Sequence, residues 1–185
     1  MNNRFDPVTF KAYDLSLAFG FLFPREVFAM QSLVWSLPEN GTIVNIGAGA
    51  GTSALAMHEA RPDVTIYTVD ISEGGPFGGF ENERNAFDGA GYTKYPTPLL
   101  GDSKKIGMEF LDGPIDMLFI DGDHSEAGCR GDIQAWIGHV KAGGIVALHD
   151  YERDFWPDVK RVVDEELGKD YPQILCVDTL IAFRV

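Results

Sequence analysis

Positive charge is scarce in this chain. Its 15 Lys and Arg face 28 Asp and Glu, a formal net charge of −13, and the few cations form no cluster. Phosphate binding needs concentrated positive charge, so no nucleic acid partner is expected. Cysteine is nearly absent as well. Cys129 and Cys176 match no metal-ligand spacing, and a reducing cytoplasmic setting is expected. No stretch of about 18 apolar residues could cross a bilayer, so no membrane partner is expected either. The opening Met1-Asn2-Asn3-Arg4 leads into no apolar run of the signal-peptide kind. No internal repeat is visible. What remains is 185 residues, 45% hydrophobic and 23% charged, enough for one globular core.

The pattern turns on Thr42-Ile43-Val44-Asn45-Ile46-Gly47-Ala48-Gly49-Ala50-Gly51-Thr52. An apolar run reads as a buried parallel strand, breaks into a glycine turn and enters a helix of small residues, Ser53-Ala54-Leu55-Ala56-Met57. In open α/β sheets ligands bind beyond the carboxyl ends of the strands, and a glycine-rich first turn lets backbone approach them. N–H groups at the helix start add donors and partial positive charge. Gly47, Gly49 and Gly51 read G-x-G-x-G. Counted from Gly49, the series Gly49, Gly51, Ala54 also satisfies dinucleotide spacing, so the glycines alone leave the cofactor open.

Before that turn, Asp6-Pro7 reads as a helix start, with Val8, Ala12, Leu15 and Phe19 on one face and Gly20 as the end. Pro24 begins a second helix carrying Val27, Met30, Gln31 and Val34 on one side, stopped by Pro38. Seven aromatics, Phe5, Phe10, Tyr13, Phe19, Phe21, Phe23 and Phe28, fall in this leader. It reads as extra helices sealing a sheet edge, or as a lid, and its aromatics could support a homodimer contact. The expected division is a helical leader over 1–40 and a ligand-binding domain over 41–185.

From Thr42 onward strand and helix alternate. Strands are expected at about 42–47, 64–69, 97–100, 115–120 and 145–148, with helices at about 51–60 and 81–88. A helix follows Asp121, with Ile133, Trp136, Ile137 and Val140 at i, i+3, i+4, i+7, and Gly143-Gly144 turns into the fifth strand. A last helix carries Val159, Val162, Val163 and Leu167. Ile174 to Val177 and Leu180 to Phe183 flank Asp178-Thr179 as a terminal hairpin. The expected fold is a Rossmann-like, doubly wound α/β sheet of seven strands, mainly parallel, with the antiparallel hairpin at one edge.

Asp70, Asp102, Asp121 and Asp150 each stand where a strand gives out. Acids favour such places as helix caps and turn formers, yet four of them on one rim opposite the glycine turn suggest a site. Asp70 follows Gly47 at nearly the offset of an acid that binds ribose hydroxyls, a group common to NAD and S-adenosylmethionine. Asp121 and Asp150 would end neighbouring strands. Adjacent carboxylates repel unless a cation lies between them, and hard oxygen ligands suit Mg²⁺. An ion there would lower the pKa of a substrate hydroxyl. The alternative is one cofactor-binding aspartate and one helix cap, with no metal. His124 is the candidate general base, since imidazole titrates near working pH. His58 and His139 read as packing residues and His149 as structural support.

The glycine turn, Asp70, Gly101-Asp102-Ser103, Asp121-Gly122-Asp123-His124-Ser125 and Gly143-Gly144 through His149-Asp150-Tyr151 together resemble class I S-adenosylmethionine-dependent methyltransferases. The likeness is to small members that include metal-dependent O-methyltransferases of macrolide sugars, and it covers roughly 40–185. It implies that Asn45, Gly47, Ala48, Gly49, Gly51 and Thr52 pass beside the methionine part of S-adenosylmethionine. It further implies that Asp70 binds the ribose hydroxyls and that Asp102 with Ser103 lies beside the adenine, with Ile71 and Asp121 also in the cofactor site and Asp121 catalytic beside His124. Asp121 and Asp150 match metal-holding positions in metal-dependent members, which implies Mg²⁺, and His124 matches their base. Four residues depart from the pattern. Asn45 replaces a common acid, Glu126-Ala127 an aromatic–acid pair, and Tyr151 an asparagine of catechol-type relatives, although Gly128 and Asp132 fit.

The expected activity is O-methylation of a small-molecule hydroxyl by S-adenosylmethionine. Two rivals stand beside it: an NAD-dependent oxidoreductase on the same architecture, and a member that binds the cofactor without catalysis. The glycine-rich loop Gly74-Gly75-Pro76-Phe77-Gly78-Gly79-Phe80, with the aromatic leader, is the expected place of acceptor specificity.

Overall fold

Five apolar segments form parallel strands: β1 (Thr42–Ile46), β2 (Thr65–Asp70), β3 (Thr97–Leu100), β4 (Ile115–Ile120) and β5 (Val140–Leu148). The terminal hairpin, β6 (Gln173–Val177) and β7 (Leu180–Arg184), joins through an antiparallel pairing of β7 with β5. The sheet order is β3-β2-β1-β4-β5-β7-β6, the expected doubly wound arrangement with its hairpin edge. The computed structural model describes residues 11–19, 22–74 and 78–185. Asp6-Pro7, Val8, Phe5, Phe10, Gly20, Phe21 and the tip Gly75-Pro76-Phe77 lie outside the described residues.

Helices cover both faces because the strands are apolar on both sides. On one face lie α1 (Lys11–Phe19), α2 (Pro24–Trp35), α3 (Thr52–Ala60) and α4 (Phe80–Ala90), where Met30, Leu55 and Phe87 pack on Ile43, Met117 and Phe119. On the other lie α5 (Ser103–Glu109), α6 (Glu126–Trp136) and α7 (Pro157–Glu166), where Ile133, Trp136 and Val162 pack on Val44, Leu118 and Val146. Strand alternation sends Ile43 to the first cluster and Val44 to the second. Among the described residues no helix is long and apolar enough to cross a membrane.

Two elements differ from the sequence expectation. The helix after Asp121 ends at Trp136, a 3-10 turn covers Ile137–His139, and Val140 opens β5, which runs through Gly143-Gly144. Val140 carried on the helical period because it is buried in the same cluster as Ile133 and Trp136, though it enters from a strand. Helix α5 was not expected at all. Among its residues only Gly107 is buried, so it has no apolar period to read, and it starts where the Asp102 carboxylate accepts the Lys104 N–H at 2.9 Å.

Register decides what shares the rim. Ile46 pairs with Val69 and Ile120, and Ile120 with Leu148, so β1, β2, β4 and β5 end at one level. The ladder runs one step further, with the Gly47 N–H donating to Val69, Asp121 to Ile46 and His149 to Ile120. Gly47, Asp70, Asp121 and His149 therefore begin the rim together.

Beneath the rim, α4 buries a carboxyl. Glu83 is 3% exposed and accepts from the Thr68 hydroxyl at 2.8 Å. Burial pushes Glu83 up to about 8; the Thr68 bond opposes this and the nearby Asp70 charge reinforces it. The native state thus holds a proton that the unfolded chain releases near its ordinary value of 4.5. Stability associated with that proton is complete at low pH and declines as pH rises towards 8, by up to about 1.4 kcal/mol per pH unit. Glu83→Gln should flatten the fall in melting temperature between pH 5 and pH 8 measured by calorimetry, and should melt above wild type at pH 8.5. An unchanged slope would show that Glu83 does not titrate in that window.

Candidate active site

A cavity of about 720 Å³ opens at the carboxyl ends of β1, β2 and β4 and reaches the end of β5. Its floor is the glycine turn. Gly47 has φ +96, and a Cβ there would run into the Asp121 carbonyl, so only glycine lets β1 and β4 close this tightly. Gly47, Ala48, Gly49 and Thr52 line the cavity on this side. Thr52 is 3% exposed and its buried hydroxyl has no hydrogen-bond partner among the described residues, a donor left for a ligand to satisfy.

Asp70 closes the next side. Its carboxylate accepts the Ala48 N–H and the Ser72 N–H, each at 2.8 Å, tying the end of β2 to the glycine turn. Ile71, Asp102 and Ser103 continue the wall. Asp102 caps α5, and the Lys104 N–H it accepts holds its carboxyl below the usual carboxylate range. The Ser103 hydroxyl donates to Asp132 of α6 while its carbonyl accepts from Trp136 Nε1 at 2.9 Å, which docks α5 on α6.

Two of the residues expected at the cofactor do not reach the cavity. Asn45 is fully buried behind the turn, donating to the Gly47 carbonyl at 3.3 Å and accepting from Ser53 at 3.2 Å. It braces the turn from behind. Gly51, with φ +86, faces α4, where a Cβ would collide with Glu83 and Ala86. Its glycine is required by helix packing.

At the far end Asp121, His124 and Asp150 converge. His124 Nε2 lies 2.8 Å from Asp150 Oδ2 and 3.4 Å from Asp121 Oδ1. Asp150 stands in a left-handed turn, φ +58, a conformation aspartate tolerates and one that concentrates at functional sites. Burial works against charge on His124, but the Asp121 and Asp150 carboxylates prevail and raise it to about 9. Asp121 is drawn below its ordinary range, burial opposing and His149 and His124 outweighing it. Among the described residues His124 Nε2 is buried without an aligned hydrogen bond despite its short contacts. One ligand atom from each of Asp121, His124 and Asp150 lies within 4.8 Å of the others, a donor set that fits a divalent ion.

A second charge layer supports this one. His149 is 3% exposed, with Nδ1 at 3.5 Å from Asp121 and 3.6 Å from Asp150, and Nε2 at 3.0 Å from Glu26. Burial opposes its charge, yet Asp121, Glu26 and Asp150 raise it to about 10. Glu26, fully buried on α2, also accepts from the Phe23 N–H at 2.7 Å, the Thr179 N–H at 2.7 Å and the Thr179 hydroxyl at 2.8 Å. Burial pushes Glu26 up and these partners, His149 foremost, bring it below its ordinary value. Arg153 Nε lies 2.8 Å from Asp150 Oδ1. Sequence reasoning missed Glu26, although an acid beside Val27 and Met30 on a buried helix face is a readable signal. It also missed Trp156, whose ring stacks on His124 at 4.8 Å between centroids and 20° between planes. His58 is a packing residue, set against Phe87 and Tyr92.

A family model described as a methyltransferase domain matches residues 44–151, from β1 through the Asp150 turn. Solved structures share the fold. Cofactor-bound Rv0187 from MTB is 18% identical with a TM-score of 0.74, over 100% of this chain and 92% of that one. The SAH-bound Podospora anserina methyltransferase PaMTH1 is 17% identical with a TM-score of 0.72, over 97% and 88%. CalS11, a TDP-rhamnose 3′-O-methyltransferase of calicheamicin biosynthesis, is 18% identical with a TM-score of 0.64, over 86% and 79%. The dinucleotide reading of the glycines is set aside by the family match. With its glycine turn, its rim acids and that match over more than half its length, the chain belongs to the methyltransferase domain family, as a class I S-adenosylmethionine-dependent methyltransferase.

Proposed function

We propose that this enzyme methylates a hydroxyl oxygen of a small molecule, with the adenosyl cofactor along the glycine turn and the acceptor beside His124. The observation that carries the reading is His124 at the end of the cofactor-sized cavity, set against two carboxylates. That CalS11 and other fold neighbours are O-methyltransferases supports it.

S-Adenosylmethionine supplies a methyl group already activated on a sulfonium, and its transfer leaves the neutral thioether S-adenosylhomocysteine. The protein's task is then alignment and proton removal. Asp70 would accept the ribose hydroxyls with the lone pairs that its two backbone donors leave free. Thr52 would meet the methionine end. His124 would take the proton as the acceptor oxygen bonds to the methyl carbon, while Asp121 and Asp150 hold the ring and stabilise the imidazolium. Glu26 and His149 keep those two carboxylates in place.

A metal-assisted reading rests on a separate observation, the three ligand atoms around an unaligned His124 Nε2. Asp121, Asp150 and His124 would hold a Mg²⁺-like ion, which would lower the pKa of a bound hydroxyl. The same nitrogen cannot be both ligand and base, so the two readings separate experimentally.

Calorimetric titration with S-adenosylhomocysteine should give saturable heat, and Asp70→Ala should weaken binding by roughly tenfold or more through lost charge-assisted bonds. Unchanged affinity would remove Asp70 from the cofactor site. With EDTA present, a base at about 9 must shed its proton before it can act. The transfer rate should therefore rise about tenfold per pH unit from pH 7 and level near pH 9, and His124→Ala should abolish that limb. No activity in EDTA, restored by Mg²⁺ at pH 7, would favour the metal-assisted reading over a free base.

A further inference from the structure

The acceptor's chemistry is legible beyond His124. A second lobe of about 460 Å³ adjoins the cofactor cavity and shares Gly122, Asp123, His124 and Trp156 with it. The loop after β4 forms one side of it, and the loop between β5 and α7 with the start of α7 forms the other. There Phe155 is 80% and Trp156 44% exposed, and Trp156 lies nearly parallel to the His124 ring. Large aromatic faces left open beside a reactive residue offer a stacking surface for a flat apolar ring.

Charge at this lobe has one sign to spare. Asp123 and Asp158 line it. Asp123 accepts the Ser125 N–H at 2.9 Å and presents its carboxylate to the lobe. The cations nearby are engaged. His124 contacts Asp121 and Asp150, Arg153 contacts Asp150 at 2.8 Å, and Arg161 contacts Asp158 at 2.7 Å and Glu126 at 2.8 Å. Lys104 lines only the cofactor side, where it pairs with Asp102 at 3.5 Å. A phosphate or carboxylate entering the lobe would lose its water beside Asp123 and gain no unpaired cation among the residues that line it.

We infer that the acceptor is a hydroxyl compound that stacks a flat ring on Phe155 and Trp156 and carries no anionic group, being neutral or cationic. This rests on the proposal that the hydroxyl reacts beside His124. It excludes acyl-coenzyme A esters, nucleotide sugars and acidic phenols as preferred acceptors.

Three matched catechols test it: 4-methylcatechol, dopamine and 3,4-dihydroxybenzoate, which are neutral, cationic and anionic at pH 7. Binding is read as quenching of tryptophan fluorescence in the enzyme saturated with S-adenosylhomocysteine. The neutral and cationic probes should bind at least about tenfold more tightly than the anion. Asp123→Asn should narrow that ratio, and Trp156→Leu should remove the quenching. An anion that binds as well as the others, or no quenching by any probe at millimolar concentration, overturns the inference. Calorimetry with S-adenosylhomocysteine on the same samples keeps the two ideas apart. Absent heat would count against the cofactor site, whereas normal heat with the wrong ranking counts against the acceptor class alone.

Discussion

Three buried or half-buried anions, Glu26, Asp121 and Asp150, stand against three cations, His124, His149 and Arg153, at the ends of β4 and β5. Charges taken out of water are costly unless each finds a partner. That requirement constrains everything around the site. It fixes α2 against the sheet through Glu26, and it ties the hairpin turn at Thr179 to the same carboxylate. It also holds the two aspartates as neighbours when repulsion alone would separate them.

The site divides into a half built mainly by backbone and a half built by side chains. Along the glycine turn backbone does most of the work: no room for a Cβ at Gly47, a helix start, and Asp70 tying the end of β2 to the turn. Around His124, side chains decide: an imidazole between two carboxylates and an indole stacked on it. Function lives in such sites more than in the fold that carries them.

Much of this was legible in the residue order. The alternation of apolar runs with helical periods, and the acids at the strand ends, located the sheet, its rim and most of the cavity wall. Errors arose where local pattern and tertiary role part company. Val140 prolonged a helical period because strand and helix bury it in one cluster, and α5 was invisible because it buries little. Asn45 and Gly51 sit in the most recognisable stretch of the chain yet serve the turn's reverse side, and linear spacing cannot tell which side of a turn a residue faces.

The sequence by itself determined the architecture, because strand and helix periodicity, glycine punctuation and the order of the elements are local properties that allow few topologies. It also marked His124, Asp121 and Asp150 as a chemical group, since each follows a strand end. Only the tertiary structure decided that Glu26, more than a hundred residues away, faces His149, and that Trp156 covers His124. Those contacts join elements far apart in the chain. They follow from the register of β4 and β5 and from the packing of α2 on the sheet, which residue spacing does not encode.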